Sequence, residues 1–138
     1  MQQEDWDALK AQMSNPYGVM DLQCDQYKLT LVQEVSGKSK SWRTCVYVDG
    51  VMKGIWMGAA RGGEPEHEET RRFMRKVSKS LNTRKEVEAW RKAFGKREAD
   101  KRAAEKYFYF DPSWSSFNSL KKHLLANNTS IERIERIH

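Results

Sequence analysis

The chain has 138 residues and a formal charge of +6, from 25 Lys+Arg against 19 Asp+Glu. That length fits one domain, with enough chain to bury a core without help from a metal or a disulfide. Its longest apolar runs are a few residues, far short of the roughly 20 that a membrane span needs. Its aromatic content of 11% exceeds that of a solvated, disordered chain.

In chain order, residues 4–13 read as a short helix, because Trp6, Leu9 and Met13 recur at helical spacing and Asn15-Pro16 stops it. Residues 14–26 read as irregular. Residues 27–35 alternate with period two and predict a strand, followed by a small, basic loop at 36–41. Residues 42–48 predict a second strand and 51–57 a third, joined by Asp49-Gly50. That dipeptide suits a type I′ turn, which needs positive φ at both positions. In this register one face carries Trp42, Val46, Val48, Val51, Ile55 and Met57, the expected core. The other face carries Arg43, Tyr47, Met52 and Trp56, with Arg43 within cation–π reach of Trp56. After a glycine-rich connection at 59–64, Pro65 and the following glutamates predict a helix over 66–80. Thr83-Arg84-Lys85-Glu86 is a capping box that opens a second helix, which Gly95 ends or kinks. Residues 96–106 resume helical composition. Tyr107-Phe108-Tyr109-Phe110 is a fourth strand or an aromatic plug. A further helix runs over 115–126, and residues 131–137 read as a last short one. The pattern implies a single α+β domain over 1–138. It has a sheet part at 1–58 and a basic helical part at 59–138, with a short helix before a three-stranded antiparallel meander and several helices after it.

Charge is segregated along this order. Residues 1–58 hold 6 basic and 7 acidic side chains, whereas residues 71–106 hold 14 and 5. A field of that sign attracts phosphate polymers or acidic protein surfaces. On a helix at 66–80, Arg71, Arg72, Arg75, Lys76 and Lys79 fall on one side, opposite Phe73, Met74 and Val77. With Arg84, Lys85, Arg91 and Lys92 they form the candidate nucleic-acid contacts, and Arg43 joins them from the sheet. Tyr47 and Trp56, or Trp114 and Phe117, are candidate hot spots for a protein partner. The cluster Glu64, Glu66, His67, Glu68 and Glu69 is explained by acids in the first turn of a helix, so neither metal nor cofactor is expected. His123 sits beside Lys121-Lys122 and reads as a surface residue or phosphate contact. A helix-turn-helix over 115–137 is disfavoured by glutamates in its second helix. Cys24 and Cys45 form no CxxC pair and read as reduced thiols. The acidic start has no apolar stretch of a signal peptide, so the cytoplasm is the expected compartment.

Trp42-Arg43-Thr44-Cys45-Val46, Asp49-Gly50 and Ile55-Trp56-Met57-Gly58, followed by a helix, resemble the order in AP2/integrase-type DNA-binding domains. The resemblance covers about 40 residues, 42–80. It implies a three-stranded sheet in the major groove, with Arg43, Tyr47, Lys53 and Trp56 as strand residues to consider. The order α-β-β-β-α is also similar to double-stranded RNA-binding domains. The Trp- and charge-rich style, as in Phe110-Asp111-Pro112-Ser113-Trp114-Ser115-Ser116-Phe117, resembles small accessory proteins of tailed phages and prophages. Some of those inhibit host defence, anti-CRISPR proteins included. Together these readings imply a non-catalytic protein that binds DNA or RNA mainly through phosphates. The alternative is an inhibitor or adaptor docking on a host protein or nucleoprotein complex.

Overall fold

A computed structural model describes residues 1–35 and 41–134. The expected basic loop falls almost wholly outside those residues, as does the end of the expected last helix.

Helix α1 (Gln3–Met13) buries Trp6, Leu9 and Met13. Asp5 closes its first turn by accepting from the Gln2 backbone N–H at 2.9 Å. Strands β1 (Val19–Cys24), β2 (Tyr27–Val35) and β3 (Trp42–Val48) follow as an antiparallel meander. The α+β class and the helix-then-meander order therefore stand, but the meander begins one strand earlier than the sequence suggested. Met20, Leu22 and Cys24 alternate towards the core. A tight turn at Asp25, with φ 51°, returns the chain into β2.

The segment at 51–57 is not a strand. Asp49 and Gly50 do take positive φ, 51° and 81°. Val48 and Val51 exchange N–H···O bonds of 2.9 and 3.0 Å, and the pairing stops there. The middle of that edge of β3 is taken by β6 (Ser113–Trp114), which pairs with Thr44 and Cys45. Residues Gly54–Met57 instead form a 3-10 turn that drives Trp56 into the core and leaves Val51 and Ile55 exposed. The strand-strand-helix order that carried the AP2/integrase resemblance is thus not what residues 42–80 build.

The helix expected over 66–80 is also corrected. Helix α2 spans only Glu68–Phe73. Met74 is extended, at φ −111° and ψ 150°, and Arg75–Ser80 is strand β4. Val77, Ser78 and Ser80 are weak helix formers. A partner strand, β5 (Lys106–Asp111), is present to pair β4 from Arg75↔Asp111 to Ser80↔Lys106. Between the two strands the chain forms α3 (Arg84–Phe94) and α4 (Lys96–Ala104), joined by Gly95. Helix α5 (Phe117–Asn127) follows β6. The described part of the expected terminal helix is strand β7 (Ile131–Ile134) instead, paired with the free edge of β1, and no helix-turn-helix forms among the described residues.

Among the described residues the large sheet runs β6-β3-β2-β1-β7 and the small one is β4-β5. One face of the large sheet packs under α1, α2 and α5, where Leu9, Leu22, Leu29, Leu31, Phe73 and Leu124 are fully buried. Each such side chain contributes about 1.5–3 kcal/mol relative to exposure. The β4–β5 ribbon and its helical hairpin form an arm on this body.

Candidate functional site

The arm is built from local signals. Thr83 Oγ1 accepts from Glu86 N–H at 3.2 Å and starts α3. Gly95, at φ 92°, gives a one-residue joint between helices that a side chain would strain. Val87 and Ala99 are the buried apolar contacts between α3 and α4. Trp90 lies against Phe94, with centroids 4.5 Å apart, and under the Arg102 guanidinium at 4.1 Å. Asn82 Nδ2 donates to the Arg102 carbonyl at 2.8 Å, and Leu81 N–H to the Glu105 carbonyl at 2.9 Å, closing the hairpin onto the ribbon.

The cations of this arm are mostly unpaired. Ion pairs are made by Arg75 with Asp111 (3.0 Å), Lys101 with Glu98 (3.5 Å) and Arg102 with Glu105 (3.3 Å). Arg84 reaches Glu88 only at 4.0 Å. Eight others have no ion-pair partner among the described residues, and all eight are exposed. They are Lys76 and Lys79 on β4, Lys85, Arg91 and Lys92 on α3, Lys96 and Arg97 on α4, and Lys106 on β5. Four of these flank Gly95 at the tip. Arg91 and Lys92 suit the C-terminal end of α3 electrostatically. Lys96 and Arg97 begin α4, where the helix dipole disfavours positive charge, so helix stability does not account for them. On one face of the ribbon Lys79 stands opposite Tyr107, and Tyr107 and Tyr109 are near-parallel at 6.4 Å.

The remaining candidate cations are tied into the body. Arg72 is the most enclosed: Nη1 meets Asp25 Oδ2 at 2.6 Å, Nε meets Glu68 Oε2 at 3.1 Å, and the guanidinium lies 5.3 Å from the Tyr27 ring. Asp25 also accepts from Thr129 and Ser130 N–H, at 3.0 and 2.9 Å. The Thr129 bond, then the Arg72 contact and the Ser130 bond, hold its carboxyl below the usual range. Arg72 therefore clasps the β1–β2 turn to α2 and the approach to β7. Arg71 pairs with Glu68 at 2.7 Å. Arg43 does not meet Trp56; its Nε donates to Ser113 Oγ at 3.0 Å. Arg71, Arg72, Arg75, Lys76 and Lys79 are thus divided between helix, joint and strand, and the single basic stripe expected for them does not exist.

The expected aromatic hot spots are mostly interior. Trp56 and Trp114 are buried, and Trp114 Nε1 donates to the Phe73 carbonyl at 3.2 Å. Phe117 packs against the core. Tyr47 is half-buried on the far sheet face, where its hydroxyl donates to Glu34 Oε1 at 2.8 Å. That bond, with burial, pushes its pKa up to about 12. Burial pushes the thiols of Cys24 and Cys45 up to about 12 as well, so neither is a ready nucleophile. In the acidic cluster, Glu68 serves Arg71 and Arg72, and no group of three metal-ligating side chains converges among the described residues.

A second feature went unread in the sequence. At the foot of the arm, between α2, β4 and α5, lies a groove of about 600 Å³ floored by Met74, Phe110 and Trp114. Arg71, Arg75, Lys76 and Lys122 stand around it, and His123 lines it. No family profile, curated protein or solved structure matches the chain.

Proposed function

We propose that this chain is a non-catalytic nucleic-acid-binding accessory protein, cytoplasmic and of the phage or mobile-element kind, which grips phosphates with its arm. The observation that carries the reading is the set of eight exposed arm cations without ion-pair partners among the described residues. Unpaired exposed cations lose no partner when they meet phosphate, and each contact releases counterions. The tip adds an α4 N-terminus to Lys96 and Arg97, which deepens the positive field there. Tyr107, exposed beside Lys79 on the ribbon, offers a ring for base stacking. Contacts of this kind position a strand and carry little sequence information.

The test is anisotropy titration of labelled duplex DNA, single-stranded DNA and RNA over about 50 to 200 mM salt. Affinity should fall steeply with salt and vary little with sequence. Absence of binding to all three at the lowest salt ends this reading. A stoichiometric protein partner recovered from a nuclease-treated bacterial lysate, with no nucleic-acid affinity, would replace it with the host-protein inhibitor or adaptor.

A further inference from the structure

The groove at the foot of the arm is a different site from the arm's exposed cations, of which only Lys76 reaches it. Its volume of about 600 Å³ lies within the range of small-ligand sites. Its floor is apolar and fixed. Met74, Phe110 and Trp114 are 1%, 5% and 4% exposed, and the Trp114 indole is anchored to the Phe73 carbonyl.

His123 forms part of one wall, its ring 5.2 Å from that of Trp114. Its Nε2–H donates to the Arg71 carbonyl at 3.0 Å, which leaves Nδ1 as an acceptor. Burial holds its pKa below the usual value, so the imidazole is neutral. The charge of the groove resides at its rim. Lys76 and Lys122 have no ion-pair partner among the described residues. Arg75 spends Nη2 on Asp111 at 3.0 Å and Nε on the Ser113 carbonyl at 3.4 Å, leaving Nη1 without a partner among the described residues. Against these cations stands one acid of the lining, Glu64.

A bare phosphate has no use for the apolar floor. A neutral ring has no use for the cationic rim. We propose that the groove binds a nucleoside phosphate, with the ring above the Met74–Phe110–Trp114 floor between Pro65 and Ala126, and the phosphate between Arg75, Lys76 and Lys122. The same chemistry is presented by a free mononucleotide and by the 5′-phosphorylated end of a strand. The inference does not depend on nucleic-acid binding by the arm, because a free mononucleotide reports on the groove alone.

Calorimetric titration with AMP, GMP, CMP and UMP tests it, with adenosine and inorganic phosphate as controls. At least one mononucleotide should bind, with both controls about tenfold or more weaker. Lys122 and Ala126 are exposed, so substitutions there spare the fold. Lys122→Glu should weaken binding about tenfold, and Ala126→Trp, which fills the groove, should abolish it at unchanged melting temperature. No binding by any of the four, or binding indifferent to both substitutions, overturns the proposal. The source is then read in an arm variant, Arg91→Gln/Lys92→Gln/Lys96→Gln/Arg97→Gln. A preference of about tenfold for a 5′-phosphorylated over a 5′-hydroxyl oligonucleotide supports the strand end, and equal affinity supports the free nucleotide.

Discussion

The arginines of the body and the cations of the arm's tip come from one continuous basic stretch, yet the fold uses them oppositely. Arg72 is enclosed by Asp25, Glu68 and the Tyr27 ring, and Arg71 leans on Glu68. Arg91, Lys92, Lys96 and Arg97 are exposed and meet no carboxylate among the described residues. A paired guanidinium has already exchanged water for a partner, so a phosphate must compete with that partner. An exposed, unpaired cation offers its whole charge. Charge density along the sequence locates a basic region. Only pairing tells which of its charges remain available.

The sharpest way to break this comparison is to remove each set in turn. The fourfold Gln variant of the tip deletes about four phosphate contacts. The slope of log affinity against log salt should then become less negative by roughly 3 to 4, and affinity near 0.1 M salt should fall on the order of a thousandfold. Arg72→Gln should leave the salt slope unchanged and lower the melting temperature. If Arg72→Gln alters the slope as the tip variant does, the division between structural and available cations is wrong.

The two regions also differ in how they are held. Phe73 is fully buried where α2 meets the sheet core, and Phe73→Ala should cost about 3–5 kcal/mol in urea unfolding. In the arm hairpin the buried apolar contacts are Val87 and Ala99. Val87→Ala should therefore speed amide exchange across α3 and α4 and leave that of β1–β3 unchanged, because a unit with so small an interior opens on its own. Uniform acceleration in both regions would show that arm and body unfold together. A smaller effect belongs to Thr70, which is fully buried and donates from Oγ1 to the Trp56 carbonyl at 2.7 Å. Thr70→Val leaves that carbonyl unsatisfied and should cost about 1–3 kcal/mol in the same measurement.

What could be read from the sequence was local. Trp6, Leu9 and Met13 mark α1, Thr83 and Gly95 bound α3, and Asp49-Gly50 makes its turn because two adjacent residues satisfy it. What could not be read was the choice of partner strand. Residues 75–80 fit a helical wheel as well as a strand; the aromatic run at 107–110, some thirty residues later, decides for the strand. Residues 51–57 look like a hairpin arm until Ser113–Trp114 takes the edge of β3. Strand β1 did carry a signal, the alternation of Met20, Leu22 and Cys24 with Asp21 and Gln23, which reading 14–26 as irregular passed over. The division of cations followed the same logic. Asp25, the partner of Arg72, lies 47 residues away and meets it only when β1, β2 and α2 are assembled. The groove brings together α2, β4 and α5, so no window of sequence contains it.

The body's pairing carries a pH signature that separates it from counterion-driven binding. Asp25 has a depressed folded-state pKa, first because Thr129 donates a backbone bond to it, then because of Arg72. A depressed carboxyl contributes stability at pH values above its unfolded pKa of about 3.9, and that contribution is lost as pH falls through the lower folded value. Glu68, lowered by its bonds to Arg71 and Arg72, acts in the same direction. Asp25→Asn keeps an oxygen acceptor but removes the charge. Its melting temperature should lie below that of the parent by a constant amount at pH 5 to 7, and the two should converge as pH drops below about 4. Side chains 15% and 19% exposed at the Arg72–Asp25 contact should make that gap resistant to salt, whereas binding through the tip weakens steeply with it. A gap that persists unchanged to pH 2 would mean that Asp25 acts through the shape of the β1–β2 turn and not through its charge.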